Sequence, residues 1–293
     1  MNCPPVVASK EHIESFRENG YVCLRRFFPP EIGHDLRKMS DEMSLRALVI
    51  LQSCRRTGLT LADRAKENPS ELIVVPEVSS PMQICRYEFM IGSNLKFGEF
   101  VRSCLEPMVT QLVGETVTPF KDKTNEKLSG GGAFPPHQDI AAYQTFGARY
   151  HATAVLTIDP ANVANGCLQF ATNFEELVAT EAGFVMERVG GKAVLHYQKG
   201  GPHNGDIRPD ITAKLKWQIL PTNPLDLIVF DSFVPHYSDA NESNEPRRAI
   251  FVTFNRASEG SFYEDYYADK RLNYGDPKFH VSTPTSHRGS KSR

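Results

Sequence analysis

The residues best suited to metal chemistry lie in the segment FPPHQDIAAY, where His137 and Asp139 are separated by a single residue. In an extended chain, residues i and i+2 point to the same side, so this imidazole and this carboxylate would converge on one point. Two imidazoles and one carboxylate form the facial triad that holds non-haem Fe(II) and leaves the remaining coordination positions open. The pair therefore predicts two ligands of such a site, although an H-x-D pair in an ordinary polar turn would look the same.

The best candidate for the third ligand is His236, in the segment DSFVPHYSDAN. It follows the apolar run 225–230, which is typical of a buried strand. The end of a strand can deliver a side chain to the mouth of a barrel, so His236 could meet the first pair although the two segments are distant in sequence. The sequence thus predicts one metal site formed by His137, Asp139 and His236.

Arg247 begins a run in which alternation places it on the same face as Ala249, Phe251, Thr253 and Asn255. A guanidinium inside a barrel costs free energy unless a carboxylate meets it in bidentate fashion. If this face is interior, Arg247 would hold the distal carboxylate of a dicarboxylate whose other end chelates the iron. Ser238, two residues after His236, could donate a further hydrogen bond. If the face is exterior, Arg247 would form an ordinary surface salt bridge.

A row of polar residues leads into the metal-binding segment: Lys121, Lys123, Asn125 and Lys127 share one face of a predicted strand. On an interior face, this row would form a cationic wall suited to a phosphonate, phosphate or carboxylate substrate. On an exterior face, it would be a solvated edge on which lysines discourage strand pairing. The two alternatives stay open at this point.

Aromatic residues are candidates for a lid over the site. Tyr143 and Gln144 follow the metal-binding segment and could contact substrate, and a second aromatic group comprises Phe262, Tyr263, Tyr266 and Tyr267. Core packing or a dimer contact explains the second group equally well. Among the other histidines, His151 is expected to be a polar wall residue and not a fourth ligand. The remaining ones without a partner at useful spacing are given no role: His34, His196, His203, His280 and His287.

The elements that must position these residues change character near Gly114. Before it, Ser9 is a suitable N-cap for a helix over 10–18, a strand is expected over 21–28, and helical periodicity covers 30–68, with a break near Gly58, and 95–112. After it, β-rich runs are separated by turn residues, over 116–128, 146–159, 167–171, 192–197, 217–220, 225–231 and 247–255. The pattern predicts a mainly β, double-sheeted barrel with a polar mouth, flanked by helices from the amino-terminal third.

The order of these motifs resembles a known family. HQD, then NGCL (165–168), then H-x-S at 236–238 and an arginine eleven residues after His236 are similar to the phytanoyl-CoA dioxygenase-like branch of the Fe(II)/2-oxoglutarate oxygenases. The opening ENGYVCLRRFF is similar too, so the resemblance spans residues 10–275. Within this branch, FKDKTNEKLSGGGAFPPHQD and PRRAIFVTFNRASEGSFYEDYYADKR look most like the bacterial phosphonate hydroxylases, which act on small aminoalkylphosphonates.

The resemblance implies a double-stranded β-helix (jelly-roll, cupin-like) core. It implies Fe(II) on His137, Asp139 and His236, 2-oxoglutarate on Arg247 and Ser238, O2 as a further co-substrate, and hydroxylation of a substrate C–H bond. Two features depart from the family pattern: Val155 stands where some relatives place a tryptophan, and the usual Pro-Gly-Asp turn is replaced at 223–226 by Asn-Pro-Leu-Asp. The presence of Asp139 disfavours the halogenating variant of this chemistry.

Three rival functions remain open on the sequence. One is a tailoring oxygenase of secondary metabolism that performs hydroxylation, desaturation or ring closure. Another is a metal-binding barrel that has lost turnover. The third is a zinc or manganese hydrolase on a similar barrel, in which a metal-bound water attacks the substrate.

The composition limits the partners and the setting. Thirty-three basic against thirty-five acidic side chains in 293 residues give a net charge of -2, which predicts neither a nucleic-acid nor a membrane partner, and a homodimer is compatible with the sequence. We expect a cytoplasmic protein, whose six widely spaced cysteines are free thiols or core residues. One oxygenase domain over 1–278 and a flexible tail over 279–293 complete the expectation.

Overall fold

The helices begin and end at residues whose backbone preferences explain the boundaries. The Ser9 hydroxyl accepts the backbone N–H of His12 at 3.2 Å, and Gly20, with a left-handed φ of 74°, ends this first helix. The computed structural model describes residues 7–78, 80–200 and 203–279. Its α-helices are α1 (Lys10–Asn19), α2 (Pro30–Thr57), α3 (Leu61–Glu67), α4 (Met90–Ser93), α5 (Leu95–Phe100), α6 (Glu106–Val113), α7 (Ile140–Tyr143), α8 (Phe174–Thr180), α9 (Pro209–Thr212) and α10 (Tyr263–Leu272).

Shorter helical turns occur as a π-helical stretch over Val101–Leu105 and as 3-10 turns over Gln144–Phe146, Ala257–Glu259 and Pro277–Phe279. The strands are β1 (Tyr21–Leu24), β2 (Ile73–Pro76), β3 (Ile84–Glu88), β4 (Val117–Lys127), β5 (Phe134–His137), β6 (His151–Thr157), β7 (Leu168–Ala171), β8 (Val185–Val189), β9 (Lys192–Leu195), β10 (Trp217–Leu220), β11 (Leu227–Asp231), β12 (His236–Ser238) and β13 (Arg247–Arg256).

The strands pair antiparallel in two facing sheets. The major sheet has the order β1-β11-β6-β13-β4-β3-β2, and the minor sheet has the order β10-β7-β12-β5. A separate hairpin joins β8 to β9. This arrangement is a double-stranded β-helix, so the predicted fold class is confirmed, with a larger helical share than the sequence pattern indicated.

Alternation along the central strands separates the two faces of the major sheet. Ala154, Leu156, Ile250 and Val252 pack in one cluster with apolar residues of α1, α2, α5 and α6. Val155, Ala249 and Phe251 face the opposite way and pack with residues of the minor sheet such as Leu168 and Phe170. The helices therefore cover the outer face, and the inner face is left to build the interior of the barrel.

Several predicted elements have different bounds. β1 stops at Leu24 because Arg26 takes a positive φ of 50° and donates its backbone N–H to Asp226 at 2.9 Å. The run expected from residue 146 begins only at His151, after a 3-10 turn that ends at Gly147, whose φ is 95°. The amino-terminal third contributes flanking helices as expected, and three further helices, α8, α9 and α10, lie later in the chain.

The carboxy-terminal aromatic group packs in the core. Tyr263, Tyr266 and Tyr267 are buried on α10 in one cluster with Phe120 and Tyr143. Of the alternatives for this group, core packing is therefore correct and the lid is wrong. Phe279, the first residue of the predicted tail, is itself buried in this cluster, and the rest of that tail, 280–293, lies outside the described residues.

Cys23, Cys54, Cys85 and Cys167 are free thiols, as expected, whereas Cys104 is disulfide-bonded, contrary to the expectation. Among the described residues, no helix combines the length and apolar character that crossing a bilayer requires.

Candidate metal and co-substrate site

The three predicted ligands meet where two neighbouring strands of the minor sheet come together. His137 ends β5 and pairs directly with His236 at the start of β12, so that the two imidazole centroids are 4.3 Å apart. Asp139 follows β5 and brings a carboxylate oxygen to 3.6 Å from Nε2 of His137. One donor atom from each residue lies within 4.8 Å of the other two, and all three residues are buried. The arrangement is the two-histidine, one-carboxylate facial triad.

Hydrogen bonds to the backbone fix both imidazoles. Nδ1 of His137 lies 2.7 Å from the carbonyl oxygen of Pro135, and Nδ1 of His236 lies 3.1 Å from that of Val234. These bonds leave Nε2 of each ring as the metal-facing donor. Such outer contacts fix the tautomer and orientation of histidine ligands in metal sites.

Gln138, between the two ligands of the first segment, anchors that segment to its surroundings. Its side-chain amide donates to the carbonyl oxygens of Phe233 and, at 3.2 Å, of Ala193, and its carbonyl oxygen accepts the backbone N–H of Leu195 at 2.7 Å. The side chain is buried, and these three bonds all go to backbone atoms. Sequence reasoning missed this role because a glutamine between two ligands gives no sign of where its amide points.

The electrostatics suit a divalent cation. Burial alone raises the pKa of Asp139, but the hydrogen bond with His137 and the charges of His236 and Lys123 outweigh it and hold the pKa well below its usual range. Burial, and then the neighbouring His137, lower the pKa of His236 to about 3. The triad therefore presents an ionised carboxylate beside a neutral imidazole, and this donor set fits Fe(II).

Arg247, the first residue of β13, is buried with 2% exposure on the inner face. Among the described residues, no carboxylate forms an ion pair with it, and its Nε has no hydrogen-bond partner. Burial lowers its pKa to about 10. The outer salt bridge is wrong for Arg247 and belongs to its neighbour Arg248, whose guanidinium contacts Asp159 at 2.8 Å and Asp41 at 2.6 Å.

The surroundings of Arg247 combine a buried amine with a small cavity of mixed polarity. Its cross-strand partner is Lys127, whose Nζ donates to the Ser238 hydroxyl at 2.8 Å and to the Asp239 carbonyl oxygen. The cavity beside Arg247 is lined by apolar residues that include Val155, Leu168 and Ile228, and by the polar residues Thr157, Asp159 and Thr222. Val155 thus lines this cavity at the position where some relatives place a tryptophan.

Gly166, in the NGCL motif, allows the loop after β12 to pack closely against the turn that contains this glycine. A Cβ at Gly166 would come within 2.1 Å of the Asp239 carbonyl oxygen, and its φ of 75° is left-handed. Asn165 stabilises the same turn by accepting the Asn162 backbone N–H at 2.8 Å and donating to the Pro160 carbonyl oxygen at 2.8 Å.

The lysine row faces the interior. Lys121 lies over the Tyr143 ring at 4.9 Å, and Lys123 lies over the ring of the inner-face residue Phe251 at 5.1 Å. Asn125 pairs with the inner-face residue Ala249. Burial, and then the neighbouring Lys123, lower the pKa of Lys121 to about 7, and burial also lowers that of Lys123.

Tyr143 lies in the wall of the barrel and not in a lid, with its ring 5.2 Å from Phe120 and 4.8 Å from His151. His151 is fully buried, both of its ring nitrogens lack hydrogen-bond partners, and burial lowers its pKa to about 3. It is a wall residue, as expected, and does not belong to the metal cluster.

Two charged groups near the site were missed. A buried network joins Glu88 to Lys270 at 2.6 Å and to Arg86 at 3.0 Å. The run ICRYE gave no apolar signal for β3, and no sequence spacing links it to α10. His203 was given no role, but its Nδ1 contacts the Asp206 carboxylate at 3.0 Å, and Asp206 pairs with His137.

The chain matches the profile of phytanoyl-CoA dioxygenase (PhyH) over residues 16–249. It is 32% identical over 267 residues to 2-aminoethylphosphonate dioxygenase from the uncultured bacterium HF130_AEPn_1, covering 90% of this chain and 87% of that protein. It is 35% identical over 163 residues to methylphosphonate hydroxylase from Gimesia maris, covering 56% and 55%. EctD from S. alaskensis, solved with 2-oxoglutarate and 5-hydroxyectoine, has the same fold, with a TM-score of 0.61 and 16% identity over 86% of this chain and 77% of that one.

Proposed function

This chain belongs to the phytanoyl-CoA dioxygenase family, and we propose that within this family it hydroxylates a C–H bond of a small aminoalkylphosphonate. That it is an Fe(II)- and 2-oxoglutarate-dependent dioxygenase follows from the family and from the facial triad of His137, Asp139 and His236. What we propose is the class of substrate, a small aminoalkylphosphonate.

The observation that carries the proposal is a pair of lysines beside the triad, Lys121 and Lys123, which form no ion pair among the described residues and whose pKa values burial lowers. Lys121 and Lys123 project into the barrel from the strand that faces the metal ligands, and Asp139 influences the pKa of both. The nearby Glu88 carboxylate is already engaged by Lys270 and Arg86. Because buried cations are costly unless an anion meets them, this wall favours a substrate with a compact anionic group such as a phosphonate. The identities to two phosphonate-oxidising enzymes support the same choice.

In this proposal, 2-oxoglutarate and the phosphonate substrate bind at opposite ends of the barrel interior. Arg247 binds the distal carboxylate of 2-oxoglutarate, and Lys127 holds the Ser238 hydroxyl in place beside it. Lys121, Lys123, Asn125 and Tyr143 bind or border the phosphonate at the other end of the same strand face. Arg247 and Lys127 lie at one end of this face and Lys121 lies at the other, so the two anions would bind at different places.

Bound Fe(II), with 2-oxoglutarate and O2, supplies the oxidation of a C–H bond to an alcohol while 2-oxoglutarate is converted to succinate and CO2. The protein positions the metal ligands and excludes water from them. The backbone bonds to His137 and His236 hold both imidazoles, Gln138 holds the segment between the ligands, and the burial of all three ligands excludes bulk water from the reacting atoms.

The test is succinate formation by the purified enzyme with Fe(II), 2-oxoglutarate and O2, with 2-aminoethylphosphonate, methylphosphonate, amino acids and acyl thioesters offered separately. The proposal expects a phosphonate to stimulate succinate release and to gain a hydroxyl group. It expects Lys123→Ala to raise the KM for the phosphonate at least about tenfold, since hydrogen bonds to charged groups contribute about 1.5–3 kcal/mol. The exposed Lys216 provides the matched control, Lys216→Ala, with unchanged kinetics.

If a non-phosphonate substrate is oxidised and phosphonates are not, the substrate class is wrong while the oxygenase assignment stands. If Lys123→Ala leaves phosphonate kinetics unchanged, the cationic wall does not bind the substrate.

A further inference from the structure

A row of paired residues crosses the minor sheet and continues beyond the metal ligands. Phe170 pairs with His236, His236 pairs with His137, and His137 forms an isolated antiparallel bridge with Asp206. Directly paired residues of antiparallel strands point their side chains to the same face. Asp206 is therefore directed to the metal-bearing face, on the side of His137 opposite His236.

The type of pair brings the two side chains close together. The backbone N–H of Ile207 donates to the Pro136 carbonyl oxygen at 2.8 Å, so this hydrogen bond flanks the pair of His137 and Asp206. A pair flanked in this way is a non-hydrogen-bonded pair, in which Cα atoms are about 4.5 Å apart and side chains are closest. The pairing consequently brings Asp206 close to His137 on the same face of the minor sheet.

Asp206 is not needed to orient that ligand. A carboxylate commonly accepts the outer N–H of a metal-binding histidine, but Nδ1 of His137 already lies 2.7 Å from the Pro135 carbonyl oxygen. Asp206 is 6% exposed, and its Oδ2 contacts Nδ1 of His203, a side chain that is 53% exposed. The carboxylate is thus nearly buried itself and contacts a half-exposed imidazole.

The charges on the two walls are complementary to a zwitterion. The major sheet contributes Lys121 and Lys123 on one side of the triad, and the segment after β9 contributes the Asp206 carboxylate on the minor-sheet side. A substrate with a phosphonate at one end and an ammonium at the other would meet a charge of opposite sign at each end. An alkylphosphonate without an amine would leave the Asp206 carboxylate facing an apolar group, which is unfavourable.

We propose that Asp206 binds the ammonium group of an aminoalkylphosphonate and makes the enzyme prefer this zwitterion to alkylphosphonates that lack an amine. The inference rests on the proposed function, which it deepens by naming the residue that binds the ammonium end of the substrate. His203 is a positioning residue for Asp206.

The experiment compares 2-aminoethylphosphonate with propylphosphonate, which replaces the ammonium by a methyl group of similar size. Both are measured with the full-length enzyme loaded with Fe(II) and 2-oxoglutarate, for the wild type and for Asp206→Asn. We expect Asp206→Asn to lower kcat/KM for 2-aminoethylphosphonate by about 10- to 100-fold and to leave propylphosphonate within about twofold. A second readout is the affinity of the anaerobic Fe(II)–2-oxoglutarate enzyme for 2-aminoethylphosphonate, followed by the change in visible absorption, which should fall by a similar factor.

Two further variants separate this role from a structural one. Asp206→Glu keeps the negative charge and should retain more of the preference for the zwitterion than Asp206→Asn does. Asp210→Asn removes an aspartate that pairs with Arg208 on the surface, and it should change nothing. Fe(II) affinity should be the same in the wild type and in Asp206→Asn.

Equal losses for both phosphonates, or a loss of Fe(II) affinity in Asp206→Asn, would show that Asp206 supports the metal site and would overturn the inference. An unchanged preference in Asp206→Asn would overturn it as well while leaving the phosphonate function intact. If the wild type oxidises no phosphonate at all, the proposed function itself fails and this inference fails with it.

Discussion

Replacing Arg247 with alanine tests the co-substrate pocket. Arg247 lies buried at the start of β13 with no ion-pair partner among the described residues, next to a small cavity lined by both apolar and polar side chains. We expect its guanidinium to bind the distal carboxylate of 2-oxoglutarate. Arg247→Ala should therefore raise the 2-oxoglutarate requirement more than it lowers the maximal rate.

The magnitude follows from the surroundings of Arg247. Removing one partner of a buried, hydrogen-bonded charge pair costs about 2–5 kcal/mol. Lys127, the cross-strand neighbour, keeps an amine donor close to the position of Arg247, so the loss should lie near the lower end of this range. At about 1.4 kcal/mol per tenfold change, a loss of about 2–3 kcal/mol raises the KM for 2-oxoglutarate by about 30- to 150-fold.

The assay measures succinate release against 2-oxoglutarate concentration, and also against 2-oxopentanoate, which lacks the distal carboxylate. The wild type should strongly prefer 2-oxoglutarate, and Arg247→Ala should lose most of this preference. Arg248→Ala is the matched control, because the neighbouring guanidinium binds Asp159 and Asp41 on the outer side. It should lower stability without changing the preference between the two co-substrates. An unchanged 2-oxoglutarate requirement in Arg247→Ala, or an equal change in Arg248→Ala, would refute the reasoning.

Three more predictions concern the metal ligands and their support. His137→Ala and Asp139→Ala should each abolish turnover and most Fe(II) binding, measured as bound iron per protein, and a variant that keeps full iron content would contradict the triad. Gln138→Leu removes three hydrogen bonds to the backbone and should weaken Fe(II) affinity by about 10- to 100-fold in a metal titration, whereas unchanged affinity would show that the ligands hold their places without it. Burial alone raises the pKa of Glu88, but Lys270 and then Arg86 outweigh it and lower the pKa from 4.5 to about 2. A lowered carboxyl pKa stabilises the fold above pH 4.5 and loses this effect as the pH falls toward 2. Glu88→Gln should therefore lower the free energy of unfolding at pH 7 by about 3 kcal/mol. The variant should also lose most of the change in this free energy between pH 4.5 and pH 2, as measured by urea unfolding. An unchanged pH dependence would contradict this prediction.

The sequence predicts best where alternation and chemistry coincide. The period of two on β13 places Arg247 and Arg248 on opposite faces, and in the structure Arg247 is inside and Arg248 is outside. The H-x-D pair and His236 come together because His137, the last residue of β5, pairs with His236, the first residue of β12, in the same sheet. The helix that Ser9 caps has nearly the predicted bounds, since its ends depend on local backbone chemistry.

What the sequence does not reveal depends on pairing between distant segments. In β3, the buried residues Arg86 and Glu88 are charged, so the sequence shows no apolar pattern typical of a buried strand. In the structure, Glu88 forms ion pairs with Arg86 and with Lys270 from α10. Asp206 has no special spacing from His137 and becomes relevant only through an isolated bridge between a strand and a loop. Long-range contacts of this kind are set by the tertiary fold and leave no local periodicity to read.

The most direct test of the account is a crystal structure of the anaerobic enzyme with Fe(II), 2-oxoglutarate and 2-aminoethylphosphonate. The account predicts iron bonded to His137, Asp139 and His236, the distal carboxylate of 2-oxoglutarate on Arg247, and the phosphonate beside Lys121 and Lys123. Iron held by other residues, or the phosphonate seated at Arg247, would contradict it.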